Sequence, residues 1–484
     1  MLSLLAFLFA FLSVLFFSTS TSPLYPLNNA DFINLDSNLF LYEANLWIHG
    51  ETPYLDFFDH KGLYHLAINA LALLLGGRYM LFFLQILFGF VGVLFLFFAI
   101  ELLAGEKKDL FLLAGFLYLS LYAMGSSGNV EGEWVLPYVS LAYYYYLKGM
   151  KKGGLAPFRI ASFFAGIEVG CSLNSRPLDA IWGGVIAVSF FVYALRRKAG
   201  WEIVFDALAA ILGLAIPFAL ILPFAFAQGY FGPMMVAIYS DSFSYVTHQA
   251  WEKSRWLNRL LILLVYLLGV AFYLIEKKKG DKGTALFFFL SASIAAPLYF
   301  LFARFTTYYW SGYTFYILNL VYAVSLFPLI KGRKERSWAK IIMGFWALFA
   351  SVWSITLVSL YYTSGFGNFS YASSKEIADF ISTNISEDER QKKGNVFAID
   401  CDAAVYTIGG ITTTEKYLVN QSNWASFVPD VRSELLRYLS SADKPRYLLV
   451  GNDEETWANF GDIISPNYEA TTLKTTAFSL YLSK

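Results

Sequence analysis

Apolar residues in this chain come in long continuous blocks separated by polar stretches. The blocks fall at 2–17, 79–103, 110–124, 134–147, 160–174, 179–195, 203–227, 257–275, 284–302, 310–330 and 341–362. Their lengths are of the order of the roughly 20 residues that carry a helix across a bilayer. A transmembrane β-barrel would show alternation instead. The pattern predicts an all-α polytopic membrane unit of about 11 transmembrane helices.

The polar connections sort by charge. Alternate ones are basic: Lys107 and Lys108; Lys148, Lys151, Lys152 and Arg159; Arg196, Arg197 and Lys198; Lys277, Lys278, Lys279 and Lys282; Lys331, Arg333, Lys334, Arg336 and Lys340. The positive-inside rule assigns these to the cytoplasm. The loops 18–78, 125–133, 175–178, 228–256 and 303–309 and the tail from 363 then lie outside. The alternation holds only if 63–75 does not span. That run is short, contains His65 and Asn69, and is read as a helix lying along the outer membrane face. If it spanned, every later loop would flip and the basic clusters would land outside. Residues 36–49 form a second interfacial helix by their spacing: Phe40, Leu41, Ala44, Trp47 and Ile48 can enter lipid while Asp36 and Glu43 face water. The first run, 2–17, has no basic segment ahead of it and no small-x-small cleavage site, so it is expected to stay as a helix.

After Tyr362 the composition turns polar. Helical patterns at 374–382 and 432–439 alternate with strand patterns at 395–400, 446–451 and 477–482, which predicts a small α/β sheet. The expected organisation is a membrane unit over 1–362 and a soluble extracytoplasmic α/β domain over 363–484, in a multi-pass protein of the plasma or inner membrane. No internal repeat is visible, which argues against inverted-repeat transporters.

Composition sharpens the class. The chain is 57% hydrophobic and 15% charged, against about 25% charged in soluble domains. The 36 basic and 36 acidic residues cancel, so charge gives no case for a nucleic-acid partner. Two cysteines, Cys171 in an apolar run and Cys401 in the tail, make no disulfide framework.

Candidate chemistry gathers in a polar island at 18–62, which holds Asp31, Asp36, Glu43, Glu51, Asp56, Asp59, His60 and Lys61 between two apolar blocks. Ionisable groups beside lipid are costly and mark functional sites. Residues 36–62, DSNLFLYEANLWIHGETPYLDFFDHKG, resemble the first extracytoplasmic loop of GT-C superfamily glycosyltransferases. The nearest branch comprises protein O-mannosyltransferases, lipid A aminoarabinose transferases and their bacterial polysaccharide-modifying relatives. That loop often carries an Asp-Glu pair, an amphipathic helix, Gly-x-x-Pro-Tyr-x-Asp and Lys-Pro-Pro. Here Gly50, Pro53, Tyr54, Asp56 and Lys61 stand in place, while Ser37 replaces the second acid and Gly62-Leu63 replaces the proline pair. Further along, Glu131 and Glu133 match an acidic position in the second outer loop. Arg176-Pro177 matches a basic residue before proline, and Arg304 with Tyr308 and Tyr309 matches an Arg followed by tyrosine.

The resemblance implies transfer of a sugar from a polyprenyl-phosphate carrier to an extracytoplasmic acceptor (a polysaccharide, teichoic acid, lipid or protein) with inversion. Asp36 would take the acceptor proton. Lys61, Arg176 and Arg304 would stabilise the departing phosphate. Glu133, Asp56, Asp59, His60, Tyr308 and Tyr309 would bind substrate or supply the second acid. No resident metal is assigned; His60 and His65 with Asp56 or Asp59 leave a divalent ion open, at a spacing that is not diagnostic. Bland readings stand beside these. Asp36 can cap its helix, Lys61 and Arg176 can anchor in head groups, Glu133 can be a solvated loop residue, and Tyr308 and Tyr309 can belong to an aromatic belt. The rival function is a transporter or flippase of a lipid-linked saccharide. It calls for charge near mid-bilayer, where only Glu168, Asn174 and Arg176 come close.

Overall fold

The computed structural model describes residues 1–18, 21–24, 35–104, 108–125, 128–196, 199–244 and 371–484, save 402, 408, 429, 476 and 477; of 257–275 it describes only 267, 270, 273 and 274, as helical positions. The runs expected at 284–302, 310–330 and 341–362 lie outside the described residues, as do His248, Arg304, Tyr308 and Tyr309.

Each apolar run before residue 228 is a helix. In order the helices are α1 (Leu2–Phe17), α2 (Leu35–Ile48), α3 (Leu63–Ala104), α4 (Lys108–Gly125), α5 (Glu131–Lys152), α6 (Ala156–Leu173), α7 (Ala180–Arg196) and α8 (Glu202–Ala227). In α2 Phe40, Leu41, Ala44 and Glu43 are all buried within the protein, where the spacing predicted a division between lipid and water. Among the described residues, Leu63–Ala104 and Glu202–Ala227 are long and apolar enough to cross a membrane by length and composition. α9 (Phe231–Met235) follows and runs into a π-helical turn at Val236–Asp241.

α3 is two helices in one. Gly76 and Gly77 leave helical geometry, Gly77 at φ +62°, a conformation that only glycine adopts without strain. The break separates 63–75 from the long run beginning at 79, the division that the hydropathy pattern drew. α5 opens with Glu131 and Glu133 in its first turn and closes with Lys151 and Lys152 in its last, so both ends complement the helix dipole.

Between helices in lipid, packing replaces the hydrophobic effect as the source of association. α6 and α8 show it most tightly. A Cβ on Gly166 would lie 2.0 Å from the Ala210 carbonyl oxygen, and one on Gly213 would lie 2.0 Å from the Phe163 carbonyl oxygen. Gly115 of α4 likewise admits the Phe9 ring of α1, which also meets Phe116 edge-on at 5.3 Å. On its other side α8 turns Leu208, Ile211, Leu212, Leu220 and Phe224 outward, all more than half exposed, as a lipid-facing helix would.

The C-terminal region is α/β. It contains α10 (Tyr371–Asn384), α11 (Glu387–Gln391), β1 (Val396–Ile399), α12 (Ala404–Thr407), α13 (Gln421–Ala425), α14 (Asp430–Leu439), β2 (Tyr447–Gly451), α15 (Glu454–Asn467), β3 (Tyr468–Lys474) and β4 (Phe478–Ser483). The sheet order is β1-β2-β4-β3, with β1 and β2 parallel and the other pairs antiparallel. β1 is fully buried, as a continuous apolar strand in a covered parallel pair should be. The C-terminal region packs onto α2 and the loop that follows it. Tyr42 stacks on Tyr406 at 5.0 Å, and its hydroxyl donates to the Ile411 carbonyl and accepts from the Thr413 amide. The Phe58 amide donates to the Lys416 carbonyl at 2.8 Å. Lys393 pairs with Glu51.

Candidate active site

The loop between α2 and α3 is a built structure. Gly50, at φ +101°, turns the chain away from α2. Asp56 accepts a hydrogen bond from the Thr52 amide at 2.7 Å and closes the turn. Tyr54 adopts φ +64°, a costly conformation for a bulky residue. Its amide donates to the Phe57 carbonyl, and its buried hydroxyl donates to the Lys61 carbonyl at 2.7 Å. The Gly-x-x-Pro-Tyr-x-Asp element is thus the scaffold that presents Asp59, His60 and Lys61.

Gly62 seats that presentation against the α6–α7 turn. Its amide donates to the Ser175 carbonyl and the Tyr64 amide to the Asn174 carbonyl, at 2.7 and 2.8 Å. A Cβ at 62 would stand 2.1 Å from the Asn174 oxygen. Glycine is required here by close approach.

Lys61 is the centre of the cluster. Its Nζ lies 3.8 Å from Asp59 Oδ1, 4.0 Å from Glu131 Oε1 and 4.7 Å above the Phe40 ring. The side chain is 16% exposed, so these charges act in a poorly screened setting. Burial alone would raise the Asp59 carboxyl, but the Lys61 ammonium and the His60 ring beside it hold it well below the ordinary carboxylate range. His60 Nδ1 sits 3.0 Å from Asp59 Oδ1, and its ring lies 5.0 Å from Trp424 of the α/β region. The His60 carbonyl accepts from Ser242. Arg176 acts electrostatically on Glu131 and on the buried Asp179. Asp179 is raised from 3.8 to about 7, by burial first and by Glu131, against the opposing pull of Arg176.

A narrow cleft runs through this cluster, lined by Phe40, Glu43, Tyr54, Asp59, Lys61 and His65 among others. The backbone puts Asp36 in the first turn of α2; its side chain lies outside the described residues. By helical spacing, positions 36, 40 and 43 share one face. The neighbouring Ser37 hydroxyl accepts from Asn129, whose side chain also exchanges hydrogen bonds with Asn69. These buried amides pin α2 and α3 to the α4–α5 connection.

The structure therefore brings Lys61, Asp59 and His60 together with Arg176 in reach. Asp56 stands apart as an exposed turn residue. Glu133 accepts from Gln85 at 2.8 Å, in a chain that continues to Ser18 and Thr21. Of the two glutamates it is Glu131 that faces Lys61. Asp179 and Glu43 carry no motif, and only their place after Arg176 and on the α2 face hints at them. Among the described residues, no three His, Cys, Asp or Glu side chains are grouped as metal ligands.

The described fold is a set of packed helices with buried charge at one end, joined to an α/β region. Solved structures agree. ArnT from Cupriavidus metallidurans bound to undecaprenyl phosphate matches with a TM-score of 0.63 at 10% identity, over 98% of this chain and 97% of that one. The same protein in the apo state gives 0.61 at 11% identity, over 99% and 96%. At such identity the likeness is one of fold. By sequence, the family described as "Putative competence-induced protein Ccs4 N-terminal domain" matches residues 2–276, and the chain belongs to that family. No curated protein matches it.

Proposed function

We propose that this protein is an integral membrane glycosyltransferase that moves a sugar from a polyprenyl-phosphate carrier to an extracytoplasmic acceptor with inversion. The observation that carries the reading is Lys61, a largely buried ammonium beside Asp59 and Glu131 in a narrow cleft. The likeness in fold to a protein solved with undecaprenyl phosphate supports the choice of carrier. The hexosyl or pentosyl group and the aminoarabinose-transferase branch belong to this proposal as the resemblance suggests them.

In this reading Asp36 takes the proton of the acceptor hydroxyl as it attacks the anomeric carbon. The anomeric C–O bond breaks with its electron pair going to the phosphate oxygen. Lys61 and Arg176 stabilise that charge, with Arg304 as a third cation. Asp59 and His60 hold Lys61 in place, and Glu131 is the second acid ahead of Glu133. Tyr308 and Tyr309 flank the donor. The domains proposed are 1–362 for catalysis and 363–484 as an extracytoplasmic cap, in the plasma or inner membrane.

The test is release of undecaprenyl phosphate when the purified protein meets a panel of undecaprenyl-phospho-sugars. Wild type should release it with at least one sugar, and Asp36→Asn should not. No release by wild type with any sugar, or undiminished release by Asp36→Asn, contradicts the proposal.

A further inference from the structure

His65 stands one helical turn after Lys61, in the first turn of α3. It is 1% exposed and lines the same cleft as Phe40, Glu43, Asp59 and Lys61. Its ring meets Phe40 edge-on at 4.2 Å and faces Trp134 at 6.5 Å. Neither Nδ1 nor Nε2 has a hydrogen-bond partner among the described residues.

The next turn of α3 is paired. Asn69, one turn further along, donates to the His65 carbonyl and exchanges two bonds with Asn129. A buried donor or acceptor left without a partner is costly, and burial among aromatic rings disfavours charge on the imidazole. A neutral imidazole offers one N–H donor and one bare nitrogen acceptor. That pair suits a hydroxyl group, which can both accept and donate. It does not suit a phosphate, which Lys61 serves better.

We infer that His65 is a substrate-binding residue whose ring nitrogens hydrogen-bond a saccharide hydroxyl in the cleft beside Lys61. This rests on the glycosyltransferase reading and adds the group that recognises the sugar as distinct from its carrier. The hydroxyl belongs to the donor sugar or to the acceptor, and the two are separable by experiment.

The variants are His65→Phe, which keeps the aromatic bulk, and His65→Gln, which keeps a donor and an acceptor. Three readouts apply to each: binding of undecaprenyl phosphate alone, hydrolysis of an undecaprenyl-phospho-sugar without acceptor, and transfer with acceptor. His65→Phe should bind undecaprenyl phosphate as wild type does and lose roughly tenfold in turnover, the worth of a hydrogen bond or two. His65→Gln should recover part of that loss. If hydrolysis and transfer both fall, the donor sugar carries the hydroxyl; if transfer alone falls, the acceptor does. Unchanged turnover in both variants overturns the inference, and so does an equal loss of undecaprenyl phosphate binding. Wild type inactive with every donor defeats the underlying function instead.

Discussion

The two ends of the helix bundle handle charge in opposite ways. At one end Arg159, in the first turn of α6, pairs with Glu202 at the start of α8 at 2.8 Å, with side chains 44% and 33% exposed. At the other end Asp59, Glu131 and Asp179 are buried, and Lys61 is nearly so. An exposed pair contributes little and orients the chain. Buried charges have lost their hydration, and their retention points to a task. Mutations should therefore grade steeply from the end with buried charge to the end with the exposed pair.

The largest effect is expected at the reacting groups. Asp36→Asn should remove transfer altogether, and Lys61→Ala should cut turnover by about 10²–10³, measured as undecaprenyl phosphate release. Next comes Gly62→Ala. Its methyl group cannot fit 2.1 Å from the Asn174 oxygen, so the loop must move. Turnover should fall by an order of magnitude or more, since roughly 1 Å of misplacement is enough for that. Gly184→Ala is the control, because a Cβ there meets nothing within 4 Å. Equal behaviour of the two variants would show that seating against the α6–α7 turn is unimportant.

Trp424→Ala probes the α/β region. It removes the ring beside His60 and Phe58. Turnover should drop severalfold while a thermal-shift assay still reports folded protein; full activity would mean that the cap does not support the loop.

Asp179 gives a pH signature. Its carboxyl sits near 7 in the fold against an ordinary 3.8. Below about pH 4 both states are protonated; between about 4 and 7 the unfolded chain ionises while the folded one does not. Wild type should lose stability relative to Asp179→Asn across that window and then level off. A constant difference from pH 4 to 8 would contradict the placement of this acid. The smallest effect belongs to Arg159→Ala, at about 0–1 kcal/mol with turnover unchanged.

Much of this was legible in the sequence. The apolar runs through 227 gave the helices within a few residues, because continuous hydropathy reports directly on them. The break at Gly76–Gly77 followed from a glycine pair between two runs. The loop motif pointed to Lys61 and its neighbours. The rest depended on tertiary geometry. Glu131 and Glu133 are two residues apart on α5, so their side chains diverge, and only the helix's rotation selects the one that meets Lys61. Asp56 belongs to the motif, and only the structure shows that it sits in an exposed turn with one carboxylate oxygen on the Thr52 amide. The contact between Gly62 and Asn174 joins positions more than a hundred residues apart. β3 escaped notice because only Tyr468 of its seven residues is buried, so this edge strand lacks an apolar signal.

The most direct measurement is the affinity of the purified protein for undecaprenyl phosphate in wild type, Lys61→Ala and Arg159→Ala. Wild type and Arg159→Ala should bind equally, and Lys61→Ala should bind at least tenfold more weakly. Binding by Lys61→Ala at wild-type strength, or an equal loss in Arg159→Ala, would contradict a carrier site at the end with buried charge.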